Sequence, residues 1–203
     1  MEAKEPKCSC CHSHENVVFV NPAKRLAFSI IFIFLALVVL KPFLFSQIFK
    51  RGCAYVAYTL YDDAIRQYKK CVFLNKNSDD AWDWLGYAYK GRGDVKKAIE
   101  TYKDAIKINP DNKKAHFSLG MIYATNKNFN EAAGHFKYIA AMGKENEITL
   151  DLISYHRSSC EMLITCFERL GDAAELKRAI DMTLKFYPDN VKAKDKLLKI
   201  KGI

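Results

Sequence analysis

Apolar and polar positions follow two different rules along this chain. From Leu26 to Leu40 the sequence LAFSIIFIFLALVVL carries no charge and has no polar face. A helix that is apolar all round has to be covered all round. After Lys41-Pro42 the run resumes as FLFSQIF, so the apolar stretch extends from 15 residues to about Phe45. That reaches the ~20 residues a bilayer requires. The pattern predicts a transmembrane helix over residues 25–47, with Lys41 reaching back to the headgroups and Pro42 kinking the helix. A buried core helix fits poorly because it would show a polar face. A cleaved signal peptide fits poorly because no small-x-small site follows the run. Beyond residue 48 the apolar residues recur at helical spacing, broken by Gly, Asn, Asp and Pro.

Within that region residues 79–112 are the most informative. Trp82, Leu85, Gly86, Tyr89, Ala98, Tyr102, Ala105 and Pro110 describe two antiparallel helices. Gly86, Ala98 and Ala105 are small where the helices cross, and Leu85, Tyr89 and Tyr102 fill the remaining volume. Gly93-Asp94 supplies the turn, and Asn109-Pro110-Asp111-Asn112 ends the second helix. A shift of 34 residues maps Leu85, Gly86, Tyr89, Ala98 and Tyr102 onto Leu119, Gly120, Tyr123, Ala132 and Phe136, while His116 replaces Trp82. The reverse shift gives Gly52, Tyr55, Ala64, Tyr68 and Cys71. A degenerate fourth copy uses Leu163, Phe167, Gly171 and Pro188. It starts about ten residues late, as though the helix near 148–170 were extended at its front. The lysine-rich segment with Leu197, Leu198 and Ile200 reads as a solvating cap helix.

These residues and their period resemble the tetratricopeptide repeat (TPR) family. The resemblance covers roughly three quarters of the chain. The expected fold is all-α: an N-terminal single transmembrane helix, then a TPR helical-hairpin solenoid of about three to four repeats, and a C-terminal capping helix. The domains follow as a Cys/His-containing tail at 1–24, the membrane helix at 25–47 and the repeats at 48–203. The resemblance also implies a right-handed superhelix whose concave face binds a peptide or helix of a partner. In the family that face is lined by fixed places on the first helix of each unit. Carried onto this chain they are Asp80, Asp83, Tyr87, Lys90 and Gly91; Lys114, Phe117, Met121, Ala124 and Thr125; Ser158, Glu161, Thr165, Glu168 and Arg169. In the first unit Phe49, Cys53 and Val56 come up, with lipid as an alternative cover. The carboxylate clamp of chaperone-binding members is not matched, since Phe49, Cys53, Asp83 and Tyr87 stand at such places. The expected groove has an aromatic and Met-containing middle with acidic flanks, suited to an amphipathic or extended segment with a few basic residues.

Charge and cysteine content add less. The net charge of +9 comes from lysines scattered over all helices, without a nucleic-acid-reading motif, and no nucleic-acid partner is expected. A basic surface against anionic lipid is the functional alternative. Seven cysteines cannot all pair. Cys53, Cys71, Cys160 and Cys166 fall on helices as small buried side chains. The tail is distinct, reading Cys-Ser-Cys-Cys-His-Ser-His over residues 8–14. Cys8, Cys11 and His12 match the c-type haem attachment pattern. Cys8, Cys10, Cys11, His12 and His14 together suit zinc or copper. A disordered tail with reactive thiols is the third reading.

Lys24 and Arg25 before the apolar run balance Lys50 and Arg51 after it, so both membrane orientations stay open. There is no P-loop, H-E-x-x-H or G-x-S-x-G, and no enzymatic activity is expected. His116, His135 and His156 read as packed helix residues. Asp79-Asp80 read as cap and dipole partners of the helix they precede, and Arg92-Gly93-Asp94 as an inter-helix turn. The expected role is a membrane-tethered interaction scaffold that assembles or localises partners of a membrane complex. The alternatives are a redox or metal-handling tail, or a permanent subunit of a larger complex.

Overall fold

The computed structural model describes residues 22–142 and 150–201. The candidate haem or metal residues Cys8, Cys10, Cys11, His12 and His14 lie outside the described residues. Among the described residues the elements are all α-helices: α1 (Pro22–Ala57), α2 (Tyr61–Leu74), α3 (Asp79–Arg92), α4 (Val95–Ile108), α5 (Lys113–Thr125), α6 (Phe129–Ala141), α7 (Leu150–Leu170), α8 (Ala173–Phe186) and α9 (Val191–Lys201). The chain divides between Phe43 and Leu44 into two compact units.

In the first unit, α1 presents Leu26, Ile30, Ile31, Phe32, Phe34, Leu35 and Val39 to the outside, with Phe32 73% exposed. Pro42 lies within α1, which continues to Ala57. The 29-residue stretch Ser29–Ala57 is long and apolar enough to cross a membrane.

The second unit is a row of hairpins. The first three close by one device repeated at the 34-residue period. A Cβ built on Gly52 would stand 2.7 Å from the Tyr68 ring, on Gly86 2.8 Å from the Tyr102 ring, and on Gly120 2.7 Å from the Phe136 ring. The glycine thus makes room for a fully buried ring on the facing helix, not simply for a close backbone crossing. Ala64, Ala98 and Ala132 are buried on the ring-bearing helices.

The turns repeat as well. Thr59, Gly93, Lys127 and Gly171 all adopt positive φ, at 58°, 90°, 63° and 72°. After each, an amide reaches back to an aromatic residue's carbonyl: Leu60 to Tyr55 (2.8 Å), Asp94 to Tyr89 (2.9 Å), Asn128 to Tyr123 (2.9 Å) and Asp172 to Phe167 (3.2 Å). This is the Schellman closure that satisfies the last carbonyls of a helix. The fourth copy follows the same plan, and its first helix, α7, has 21 residues where α3 has 14. The front extension expected from the late register is therefore helical from Leu150 onward.

One capping assignment needs correction. The N-cap of α3 is Ser78, whose Oγ accepts from the Ala81 amide at 3.3 Å. Asp79 and Asp80 lie in the first turn, where their charge suits the helix dipole. Asp79 Oδ2 instead accepts from Asn109 Nδ2 (2.6 Å) and Asn112 Nδ2 (3.1 Å). Those bonds tie the start of α3 to the turn leading into α5.

Candidate functional site

Helix α3 explains how the groove is built. Ala81, Leu85, Ala88 and Tyr89 are buried on its core side. Asp83, Trp84 and Tyr87 fall on the opposite stripe, which the 3.6-residue period gathers onto one face. With Val56 of α1, Lys114 of α5 and Ser154 and Tyr155 of α7, they line a recess of about 500 Å³. An aromatic wall supports it. Trp84 stacks on Tyr68 (6.1 Å between centroids) and meets Phe49 (6.4 Å) and Tyr87 (5.7 Å) edge-on. Phe117 of α5 packs edge-on against both Phe136 (5.8 Å) and Tyr155 (5.2 Å).

A second hollow of about 670 Å³ continues along α5 and α7, lined by Met121, Ala124, Thr125, Met162, Thr165 and Arg169 among others. Eight of the expected groove residues fall into two groups. Asp83, Tyr87 and Lys114 line the first recess, and Met121, Ala124, Thr125, Thr165 and Arg169 the second. Lys90 sits 5.6 Å from the Tyr87 ring centroid, and with Met121 and Thr125 it lines a smaller hollow beside Val95. Phe49 packs into the core and Cys53 receives the Tyr68 hydroxyl at 3.5 Å, whereas Val56 reaches the recess.

The acidic flanks differ from expectation because most of the carboxylates are engaged. Asp80 stands 3.8 Å from Lys114 Nζ. Glu161 accepts from Asn190 Nδ2 at 2.7 Å and approaches Arg157 at 3.7 Å. Glu168 is paired with Lys196. Thr165 accepts from Lys192 Nζ at 2.7 Å. The groove-facing places of α7 thus fasten α9 and the turn before it.

Asp83 is different. It is 7% exposed, and its Oδ1 has no hydrogen-bond partner. Burial pushes its carboxyl up to about 7, opposed by the Lys114 charge and reinforced by Asp80 and Asp79.

Residues of the first recess that the position rule missed are Trp84, Ser154 and Tyr155. Trp84 carries the large aromatic signal but stands one place past Asp83. Ser154 and Tyr155 belong to the extra front of α7, which the repeat register does not cover.

The histidines are packed but not all isolated. His116 Nδ1 and His135 Nδ1 are 3.0 Å apart, and His116 Nε2 is 3.1 Å from the Pro110 carbonyl oxygen. The geometry fits two neutral rings, with His116 Nε2–H donating to Pro110 and Nδ1 accepting from His135. Burial lowers both, His135 to about 4 with the His116 charge adding to the effect. His156 is buried, with Nδ1 2.9 Å from the Tyr187 hydroxyl and Nε2 3.2 Å from the Ala140 carbonyl oxygen. Among the described residues, no group of three or more His, Cys, Asp or Glu is placed to hold a metal ion.

Comparison with known proteins agrees with this geometry. Residues 91–127 match the family model described as TPR repeat. Heat shock protein STI1 of Saccharomyces cerevisiae is 29% identical over 75 residues, 37% of this chain and 13% of that one. Photosystem I assembly protein Ycf3 of a Synechococcus species is 32% identical over 66 residues, 31% of this chain and 38% of that one. The chain therefore aligns with well under half the length of these relatives. Among solved structures, YrrB, described as a TPR protein with an unusual peptide-binding site, superposes with a TM-score of 0.55 at 18% identity. The match covers 78% of this chain and 75% of YrrB. Such modules bind other proteins through the stacked hairpins' exposed surface. Residues 91–127 thus match a tetratricopeptide repeat, and the hairpins of this chain share the fold of a solved protein built from such repeats.

Proposed function

We propose that the protein is a membrane-tethered, non-catalytic interaction scaffold. Its groove holds a segment of a partner protein and brings that partner to a membrane complex. The observation that carries this reading is the recess framed by Trp84, Tyr87 and Tyr155, together with an apolar stretch long enough to span a bilayer. A folded hairpin array has no packing need to leave Tyr87 41% exposed beside an open recess. Aromatic side chains in such a place supply large contact area to an incoming chain at low entropic cost. The Ycf3 relative carries an assembly role in its name, which supports assembly as the purpose of the capture.

The test is crosslinking in native membranes followed by mass spectrometry, comparing wild type with Tyr87→Ala. Loss of an exposed aromatic anchor is expected to weaken partner capture about tenfold or more, with the thermal midpoint unchanged. Undiminished crosslinking in Tyr87→Ala would refute the groove assignment. Phe117→Ala is the poorer probe, because Phe117 packs on Phe136 and its loss would destabilise the hairpin.

A further inference from the structure

The recess has a charge that the hairpin packing does not use. Asp83 stands among Val56, Trp84, Tyr87, Lys114 and Tyr155. Its Oδ1 is out of contact with water and has no donor. Leaving a buried carboxyl group unpaired is costly, and nearly all such groups in folded proteins find a partner. Lys114, the cation that lines the recess from α5, sits 3.8 Å from Asp80. No hydrogen bond joins Lys114 to Asp83 Oδ1.

We propose, resting on the groove reading above, that this recess is a subsite for one basic side chain, lysine or arginine, of the partner segment. The cation would lie beside the Trp84 and Tyr87 rings and donate to the Asp83 carboxylate. The chemistry selects this guest over others. An apolar side chain would fill the volume and leave Asp83 unsatisfied. A carboxylate would add acceptors beside Asp80 and Asp83. A cation in the recess faces the Asp83 carboxylate, the acid among its lining residues, and is attracted by aromatic faces. Charge complementarity is local: the remaining groove acids are engaged within the domain, so Asp83 is the acid left to read a partner's charge.

The experiment uses the full chain in detergent micelles and a library of short random-sequence peptides. Peptides are selected on wild type, and those that lose binding on Tyr87→Ala are kept as groove ligands. The expected result is that they carry a lysine or arginine. Replacing that residue by norleucine should weaken binding to wild type about tenfold, and much less to Asp83→Asn. Asp83→Asn preserves side-chain shape, and a thermal melt checks that it folds. Groove ligands without a basic residue, or an equal norleucine penalty in wild type and Asp83→Asn, would overturn the subsite and leave the groove intact. If no selected peptide depends on Tyr87, the groove reading falls and the subsite with it.

Discussion

Two residue-level features pull the stability of the repeat unit in opposite directions with pH. Asp83 has its carboxyl raised to about 7 by burial. Between the unfolded value near 4 and this folded value, the native state holds a proton that the unfolded chain releases. Its contribution is therefore complete at acid pH and is lost as pH rises towards 7. The buried His116–His135 pair behaves conversely. With both rings lowered, its contribution is complete above about 6.5 and is lost as pH falls towards 4. Asp83→Asn separates the two. The variant should be more stable than wild type by about 1–3 kcal/mol at pH 8, because its amide places no charge in the buried position. The gain should shrink as pH is lowered to 5. Denaturant melts at the two pH values measure this, and a gain that does not depend on pH would contradict the burial argument. A side chain that weakens the fold at neutral pH is a usual trace of binding function.

At the scale of elements, the repeated turn makes a separate prediction. Gly93 and Gly171 adopt positive φ without strain, but Thr59 and Lys127 occupy the equivalent places with a Cβ. The left-handed region costs such residues about 1 kcal/mol or more, and the β-branched Thr59 is the more strained. Thr59→Gly and Lys127→Gly should each raise stability by about 1 kcal/mol in denaturant melts. A loss in both would mean that their side chains make compensating contacts.

Much at this scale was legible in the sequence. The repeated glycine and ring positions, the Gly93 and Gly171 turns and the late fourth unit could be read against one period, whereas the packing of each ring onto its glycine could not. The rest was not. Ser78 and Asp79 are both competent caps, and the bonds of Asp79 to Asn109 and Asn112 are visible only in three dimensions. Tyr155 lies on turns of α7 that have no counterpart in the other units. The groove acids appeared free because a position rule names residues without their partners, and α9 claims Glu168 while the turn before it claims Glu161.

At the scale of the molecule, the exposed apolar stripe of α1 sets the largest requirement. Leu35 and Val39 are 59% and 65% exposed, as are many of their neighbours. Contiguous apolar surface of this kind needs cover, and a bilayer is the cover suited to a helix apolar on every side. The wild-type chain should stay with membranes in alkaline carbonate. A Leu35→Lys, Val39→Lys variant should be released, since each lysine near the bilayer centre costs about 2.5–3.5 kcal/mol. A wild-type chain that washes free would remove the tether from the proposed role.

The glycine-and-ring closures behave like equal graduations on a ruler. Gly52 with Tyr68, Gly86 with Tyr102 and Gly120 with Phe136 make three hairpins whose joints are cut to one template. A duplicate of residues 79–112 spliced in after itself would meet neighbours of the shape it already fits, and the array would lengthen by one step. Past Gly120 that freedom stops. The lengthened α7 offers its successor a different seat, so the middle of the array is the part that can be lengthened.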